Sequence, residues 1–598
     1  MVQTSSLTSI DAISTPGSYY TASGSPVDTA DTTITSSPGR SREKPPFRDA
    51  QLIPHELKQH CQINLEEELY LQAIQLFSGF LSDGNKITTA RPLPPARIAT
   101  PAQLALLNTL TIHPSFTSRA PERSHLHVAA HALAYLRGLL EIVGPVNANF
   151  RQAFAFSGTD RGSGRGKCYN TSSGEDSDSE LVGNKYAKQQ SIWRRASDFW
   201  SILGWAFQCA SEHPQRWKSW KPWLSYMVEV LESDWDERVL LEAAEGERRE
   251  QQGGSPPSEK GKAHPHPILR DSLIAGYLDD LRKQRKQVTK EVMRALMAFL
   301  DLDASADGVF YKEIFTGETT IGPRTNKRKR DQAVDIENDQ FGDYLDRIDD
   351  FESEEENDAS STFPATSKPE RGPFRRAAGG GGSSKRPIKK EAAPAFQLSE
   401  SVAETIPLRL RIFRILSAIA DSLPGKLCSV PEIYQMFSDR IRSLPLPTFK
   451  LFVGFHTTEM PDFCHVALIK VMADDLLPVG RPDPEKVDKE TEAENGISLV
   501  LLVKCYLPFA SNRVTVEDNA RLSLVLESML WHLYHKCEAE YSEGLRKAVE
   551  KGIKAREDKI RRKGSSSDGI NNDKLAREVL ERSTKSLRLL MDVWSAQG

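Results

Sequence analysis

The chain has 598 residues, 39% of them hydrophobic and 27% charged, with a formal net charge of -4. That supplies apolar material for a large core on too much chain for one ordinary core, and the near balance of charge excludes a protein that coats nucleic acid or an anionic membrane along its whole length. Seven cysteines at irregular spacing fit reduced thiols of an intracellular protein better than a secreted disulfide framework, and no apolar stretch approaches the ~18 residues of a membrane span.

Residues 1–48 are rich in Ser, Thr, Gly and Pro and read as a disordered tail. An N-terminal helical domain is expected over 49–316. Asn64 followed by Glu67 has the form of a capping box, after which Leu69, Ala73, Leu76, Phe77 and Phe80 recur at helical spacing. Thr100, with Pro101 next and Gln103 at the third position, marks a second start. A third helix is expected from Ser124 to Val143, with Leu126, Ala130, Leu133, Leu136 and Leu140 on its apolar side. A flexible Gly-, Ser- and acid-rich insertion follows at about 156–187. One helix is then expected from Ile192 through Ala210, and Pro222 reads as the opening of another. A polar loop at about 246–266 precedes helices near 268–281 and 288–302.

The segment 317–397 lacks apolar periodicity and reads as a disordered charged linker. A C-terminal helical domain fills 398–598. Within it, Leu408, Ile412, Ile415, Leu416 and Ile419 share a buried face, Ser429 and Pro431 start a helix, and Thr515 with Asp518 starts a long one. The β-branched run Ile497–Leu507 has the composition of a strand. The fold class is therefore mainly α: two helical blocks, of orthogonal-bundle or irregular helical-repeat type, separated by the linker.

The stretches that carry a hint of chemistry do not complete it. Gly158–Cys168 is glycine-rich, but a phosphate loop needs Gly at 161 and Ser or Thr at 168, where Arg161 and Cys168 stand. Asp303, Ser305, Asp307 and Gly308 match the first half of a calcium loop, yet Ile314 occupies the place of its bidentate Glu. His127 and His131 lie one turn apart without a following Glu or a third ligand. Trp217, Trp220 and Trp223 alternate with Arg216, Lys218 and Lys221, a pattern that suits base stacking, although its helical spacing favours burial. No catalytic residue, metal ligand or cofactor site is assigned.

The basic runs are more informative. Lys327, Arg328, Lys329 and Arg330, and again Lys385, Arg386, Lys389 and Lys390, have the form an import receptor reads, which points to the nucleus, with the cytoplasm as the alternative. Ser177, Ser179 and Ser353 sit before acidic residues and suit an acid-directed kinase. Lys559, Arg561, Arg562 and Lys563 end a cationic helix that would lie along a phosphate backbone. The expected function is a non-enzymatic nuclear scaffold or adaptor that binds protein partners through helical grooves. The alternative is a chromatin- or RNA-associated protein contacting nucleic acid through its basic segments.

Overall fold

The computed structural model describes residues 47–82, 94–156, 182–251, 266–300, 310–319, 398–454, 460–536, 540–561 and 570–597, and among them the chain is mainly helical. The first block contains α1 (His55–Glu66), α2 (Tyr70–Ser82), α3 (Pro101–Ile112), α4 (Arg123–Ile142), α5 (Phe150–Ala153), α6 (Ile192–Arg195), α7 (Phe199–Glu212), α8 (Pro214–Gln251), α9 (Pro267–Arg270), α10 (Leu273–Asp279) and α11 (Arg285–Leu296). The second contains α12 (Glu400–Ala403), α13 (Thr405–Ser422), α14 (Val430–Ser443), α15 (Leu446–Val453), α16 (Asp462–Leu476), α17 (Pro484–Val487), α18 (Lys489–Ala493), α19 (Leu499–Leu501), α20 (Val516–Lys536), α21 (Glu543–Arg561) and α22 (Ile570–Gln597). Among the described residues the strands are β1 (Ala50–Leu52) and β2 (Ala96–Ile98), paired in parallel with Ala50 opposite Ala96.

Local signals explain most helix starts. Thr100 accepts from the Gln103 N–H while the Gln103 side chain accepts from the Thr100 N–H, a closed capping box. At α14 the Ser429 N–H donates to Glu432 (3.0 Å), and at α20 Thr515 Oγ1 accepts from the Asp518 N–H (3.1 Å).

Several expectations are corrected. Asn64 does not start a helix; it lies inside α1, whose end is set by Glu68 at φ 60°, with the Leu69 N–H returning to Asn64 O (2.8 Å). The segment 192–210 is two helices, because Asp198 and Ser201 form a capping box that restarts the chain at α7. Pro222 lies in the interior of α8 rather than at its start. The buried stripe of α4 runs through Val128, Ala132, Tyr135, Leu136 and Leu139, leaving Leu126 and Ala130 exposed. Ile497–Leu507 is not a strand: α19 runs into a π-helix, Leu502–Tyr506, with the Leu507 N–H bonded to Leu502 O (2.9 Å). Packed structure also reaches past three expected boundaries. Helix α8 continues to Gln251, Val182, Asn184 and Tyr186 are buried, and so is Glu318.

The two blocks share one continuous apolar core, so the helices on either side of 320–397 pack together. Arg409 of α13 is the central link. Completely buried, it donates to Leu296 O at the end of α11, to Ala298 O (2.9 Å) and to Thr405 Oγ1 (2.9 Å), and its guanidinium stacks over the Phe207 ring 3.7 Å from the centroid. Around it, Trp217 Nε1 donates to Glu404 (2.9 Å), Arg411 and Arg414 both reach Glu232, and the Cys428 N–H donates to Thr289 Oγ1 (3.0 Å). The last described residues before 320 are also fixed. Glu318 accepts from Arg216 (2.5 Å), Trp220 (3.3 Å) and the Ile314 and Phe315 N–H groups (3.0 and 3.1 Å).

Replacing Arg409 by Ala leaves buried carbonyls without donors and is expected to lower folding stability by about 3 kcal/mol or more. Arg411→Ala, whose carboxylate keeps Arg414, is expected to cost about 1 kcal/mol or less. Urea unfolding of the full chain followed by circular dichroism separates the two; equal losses would show that the joint is not carried by Arg409.

Candidate functional site

The tryptophans form core rather than a binding platform. All seven between Trp193 and Trp235 are buried, and four give their indole N–H to the interior: Trp200 to Tyr277 O (3.0 Å), Trp217 to Glu404, Trp220 to Glu318 and Trp223 to Asn108 (3.0 Å). His127 and His131 are exposed neighbours on α4, with His131 Nδ1 2.8 Å from His127 O. Ile314 is buried where a calcium loop would need its last carboxylate; residues 301–309 lie outside the described residues. Among the described residues no group of three or more His, Cys, Asp or Glu side chains is placed to hold a metal ion. Cys61, Cys209, Cys428, Cys464 and Cys505 are buried free thiols, and burial pushes the Cys61 thiol up to about 11, away from thiolate chemistry.

Of the basic residues singled out in the sequence, Lys559 and Arg561 are described. The amine of half-buried Lys559 donates to Ser511 O and Asn512 O, which ties the side chain to the 511–512 loop. Arg561 is exposed and borders a cleft of about 320 Å³ between α21 and α22, which Arg577, Lys585 and Arg588 also line together with Glu557 and Glu581. The cleft has an apolar floor of Ile560 and Leu580, part of a small second core with Leu446, Val516, Ala520 and Ala576. Arg562, Lys563, both import-type runs and Ser177, Ser179 and Ser353 lie outside the described residues.

Sequence reasoning did not anticipate a second surface feature, on the outer side of α2. While Tyr70, Ala73, Ile74, Phe77 and Leu81 face the core, Leu69 just before the helix and Gln72 and Gly79 on its opposite side are exposed, with Leu76 half-buried among them. These residues line two adjoining clefts of about 250 and 400 Å³ that meet at Gln72. One is walled by Phe116, His125 and Val128, the other by His60, Asn64 and Phe80. A Cβ at Gly79 would meet nothing within 4 Å, so the groove stays open at that end. The single stripe expected from periodicity is split by the fold: Ala73 and Phe77 are buried, Leu76 and Phe80 are half-buried and Leu69 is exposed, because five apolar positions make a stripe wider than one buried face needs.

The described geometry defines a mainly helical protein with an apolar groove and a basic cleft. No family model, curated protein or solved structure matches the chain.

The buried histidines are structural and set an acid limit. Burial holds His113 down to about 3 and His465 down to about 4, so both are neutral in the folded chain at pH values where an unfolded histidine, near 6.5, is protonated. Below pH ~6.5 the unfolded chain therefore binds protons the folded one does not, and each histidine removes up to about 1.4 kcal/mol of stability per pH unit. That contribution is whole above ~6.5 and is lost as pH falls toward the folded values. Urea midpoints measured between about pH 7 and 4.5 should fall, and His465→Gln should flatten part of that slope; an unchanged slope would mean that His465 is not held neutral.

Proposed function

We propose that this protein is a non-enzymatic scaffold or adaptor subunit acting in the nucleus, and that it holds a protein partner in the groove along α2. One observation carries the reading. Two adjoining clefts lined by exposed Leu69, Gln72 and Gly79 and half-buried Leu76 run along α2 between α1 and the start of α4, on a helix whose other face is fixed in the core. Single exposed apolar residues are ordinary, but a groove one helix long is a surface that another element covers. The occupant best suited to it is an amphipathic helix of a partner. Helix α2 spans 13 residues, about 20 Å, which matches anchors at i, i+3 or i+4 and i+7 over three turns, and Gln72, Gln75 and His60 supply a polar rim.

The nuclear part of the reading rests on the two basic runs, Lys327–Arg330 and Lys385–Lys390. The nucleic-acid alternative is weaker on the side of α21, because Lys559 is tied to the 511–512 loop and Glu557 and Glu581 share the cleft with Arg561.

Leu69 and Gln72 are exposed, so Leu69→Glu with Gln72→Glu should leave the thermal transition nearly unchanged. In purifications of the tagged protein from its own cells, the variant should lose a stoichiometric protein partner whose recovery by the wild type survives nuclease. Partners that vanish with nuclease but remain on the variant would overturn the reading in favour of nucleic-acid binding. Alanine in place of Lys327, Arg328, Lys329, Arg330, Lys385, Arg386, Lys389 and Lys390 should move the fluorescently tagged protein to the cytoplasm; retention in the nucleus would remove the import assignment.

A further inference from the structure

Helices α21 and α22 run antiparallel, and their ion pairs advance in a fixed register. Arg546 meets Asp592 (2.5 Å), and one turn further along α21 Glu550 meets Arg588 through both oxygens (2.9 and 3.0 Å) one turn back along α22. Two turns beyond Glu550 the same register brings Glu557 level with Glu581, and a turn further Arg561 level with Arg577, like charges in each case; all four line the cleft. Each glutamate turns to a cation of its own helix, Glu557 to Arg561 at 4.0 Å and Glu581 to Lys585 at 2.8 Å. Arg577 makes no ion pair among the described residues. The cleft is thus lined by an arginine from each helix, above a floor of Ile560 and Leu580 that is buried in the second core. Two guanidinium groups lining one cleft repel unless an anion lies between them, and planar forked donors match the oxygens of a phosphate monoester.

We propose that this cleft is a phosphate clamp, and that its occupant is the chain's own acidic run Asp349–Glu356, docked through Ser353 after phosphorylation. The run supplies what the cleft lacks. Its sequence Asp-Asp-Phe-Glu-Ser-Glu-Glu-Glu presents carboxylates to Arg561, Arg577 and Lys585, an aromatic ring at Phe351 for the apolar floor, and a serine in the context of an acid-directed kinase. Reach is sufficient. Ser353 is joined to Leu398 by a tether that spans up to roughly 150 Å when extended, against a radius of gyration of about 25 Å for a folded body of this size. Because the run is tethered, docking is intramolecular and needs no free partner at high concentration. Nucleic acid fits less well: a strand needs several cations in line and clear of acids, whereas this cleft is one clamp long, with a carboxylate beside each arginine and closed ion pairs beyond. The inference does not depend on the α2 groove.

The test uses the full chain with residues 349–356 replaced by Gly and Ser, which leaves the cleft without its tethered occupant. Fluorescence anisotropy at physiological salt measures a labelled 347–358 peptide with Ser353 phosphorylated, the same peptide unphosphorylated, a phosphorylated 172–182 peptide and a single-stranded RNA oligonucleotide. The phosphorylated 347–358 peptide should bind about tenfold more tightly than its unphosphorylated form. Arg561→Glu with Arg577→Glu should abolish that difference, and the natural chain phosphorylated at Ser353 should bind the peptide about tenfold more weakly through internal competition. If the double variant loses helicity, Arg577→Gln alone, at an exposed residue without an ion pair, replaces it. Equal binding of the two forms of the peptide, insensitivity to the arginine changes, preference for the 172–182 peptide, or competition won by RNA would each overturn the proposal.

Discussion

Many short helices that end inside one core leave carbonyl groups without partners, up to four at each C-terminus, and water cannot reach them. Here that demand is met by arginines from elsewhere in the chain. Arg216 donates to Ile112 O at the end of α3 (2.5 Å), Arg409 to Leu296 O at the end of α11, and Arg521 to Leu444 O just past α14 (3.1 Å). A guanidinium suits the task because it offers five donors in a rigid fork and its charge is favoured at the negative end of a helix dipole. The carbonyls and ring faces around Arg409 compensate the desolvation that disfavours its charged form. Of the three, Arg409 also joins the helices on both sides of 320–397 into one body, since the donor stands in the second block and the acceptor in the first; Arg216 and Arg521 each act within one block.

A body fixed in this way gives its surface features rigid walls. The α2 groove is open because the other face of α2 is already spent on Tyr70, Ala73, Phe77 and Leu81, and the C-terminal cleft keeps its width because Ile560 and Leu580 beneath it are packed into the second core. In both places exposure follows from what is buried behind it. The charges of α21 show the same logic: Arg546 and Glu550 are paired with Asp592 and Arg588 of α22, and Arg561 at its far end is exposed.

Helix positions and core faces were largely legible from the residues. Periodicity located α2, α13 and α20, and capping chemistry located the starts at Thr100, Ser429 and Thr515, because these are interactions between near neighbours. The failures have the same origin seen from the other side. Asn64 and Glu67 have the spacing of a helix start but end one, because Glu68 takes a left-handed conformation that no residue preference announces. The segment Ile497–Leu507, with its π-helix at Leu502–Tyr506, reads as a strand because a short apolar run has the same pattern in a buried strand and in a buried helical segment. The role of Arg409, flanked by Leu408 and Leu410, depends on Leu296, 113 residues away, and a basic residue on a helix reads as solvated until its partner is known. The sites divide likewise. The basic end of α21 could be marked from composition, but the bonds of Lys559 to Ser511 O and Asn512 O and the sharing of one cleft by Arg561 and Arg577 arise where segments distant in sequence meet, as does the groove on α2.

The same separation has a consequence for synthesis. When the ribosome has finished α11, the residue that will cap it is still 113 residues away, on the order of ten seconds at ~5–20 residues per second. For that interval the elements that cover the ring of Phe207, the end of α11 and the side of α8 in the folded chain do not yet exist. The charged segment that separates the blocks keeps the two halves of a single core apart in time as well as in sequence. Until α13 emerges, the first block is a core with one wall missing.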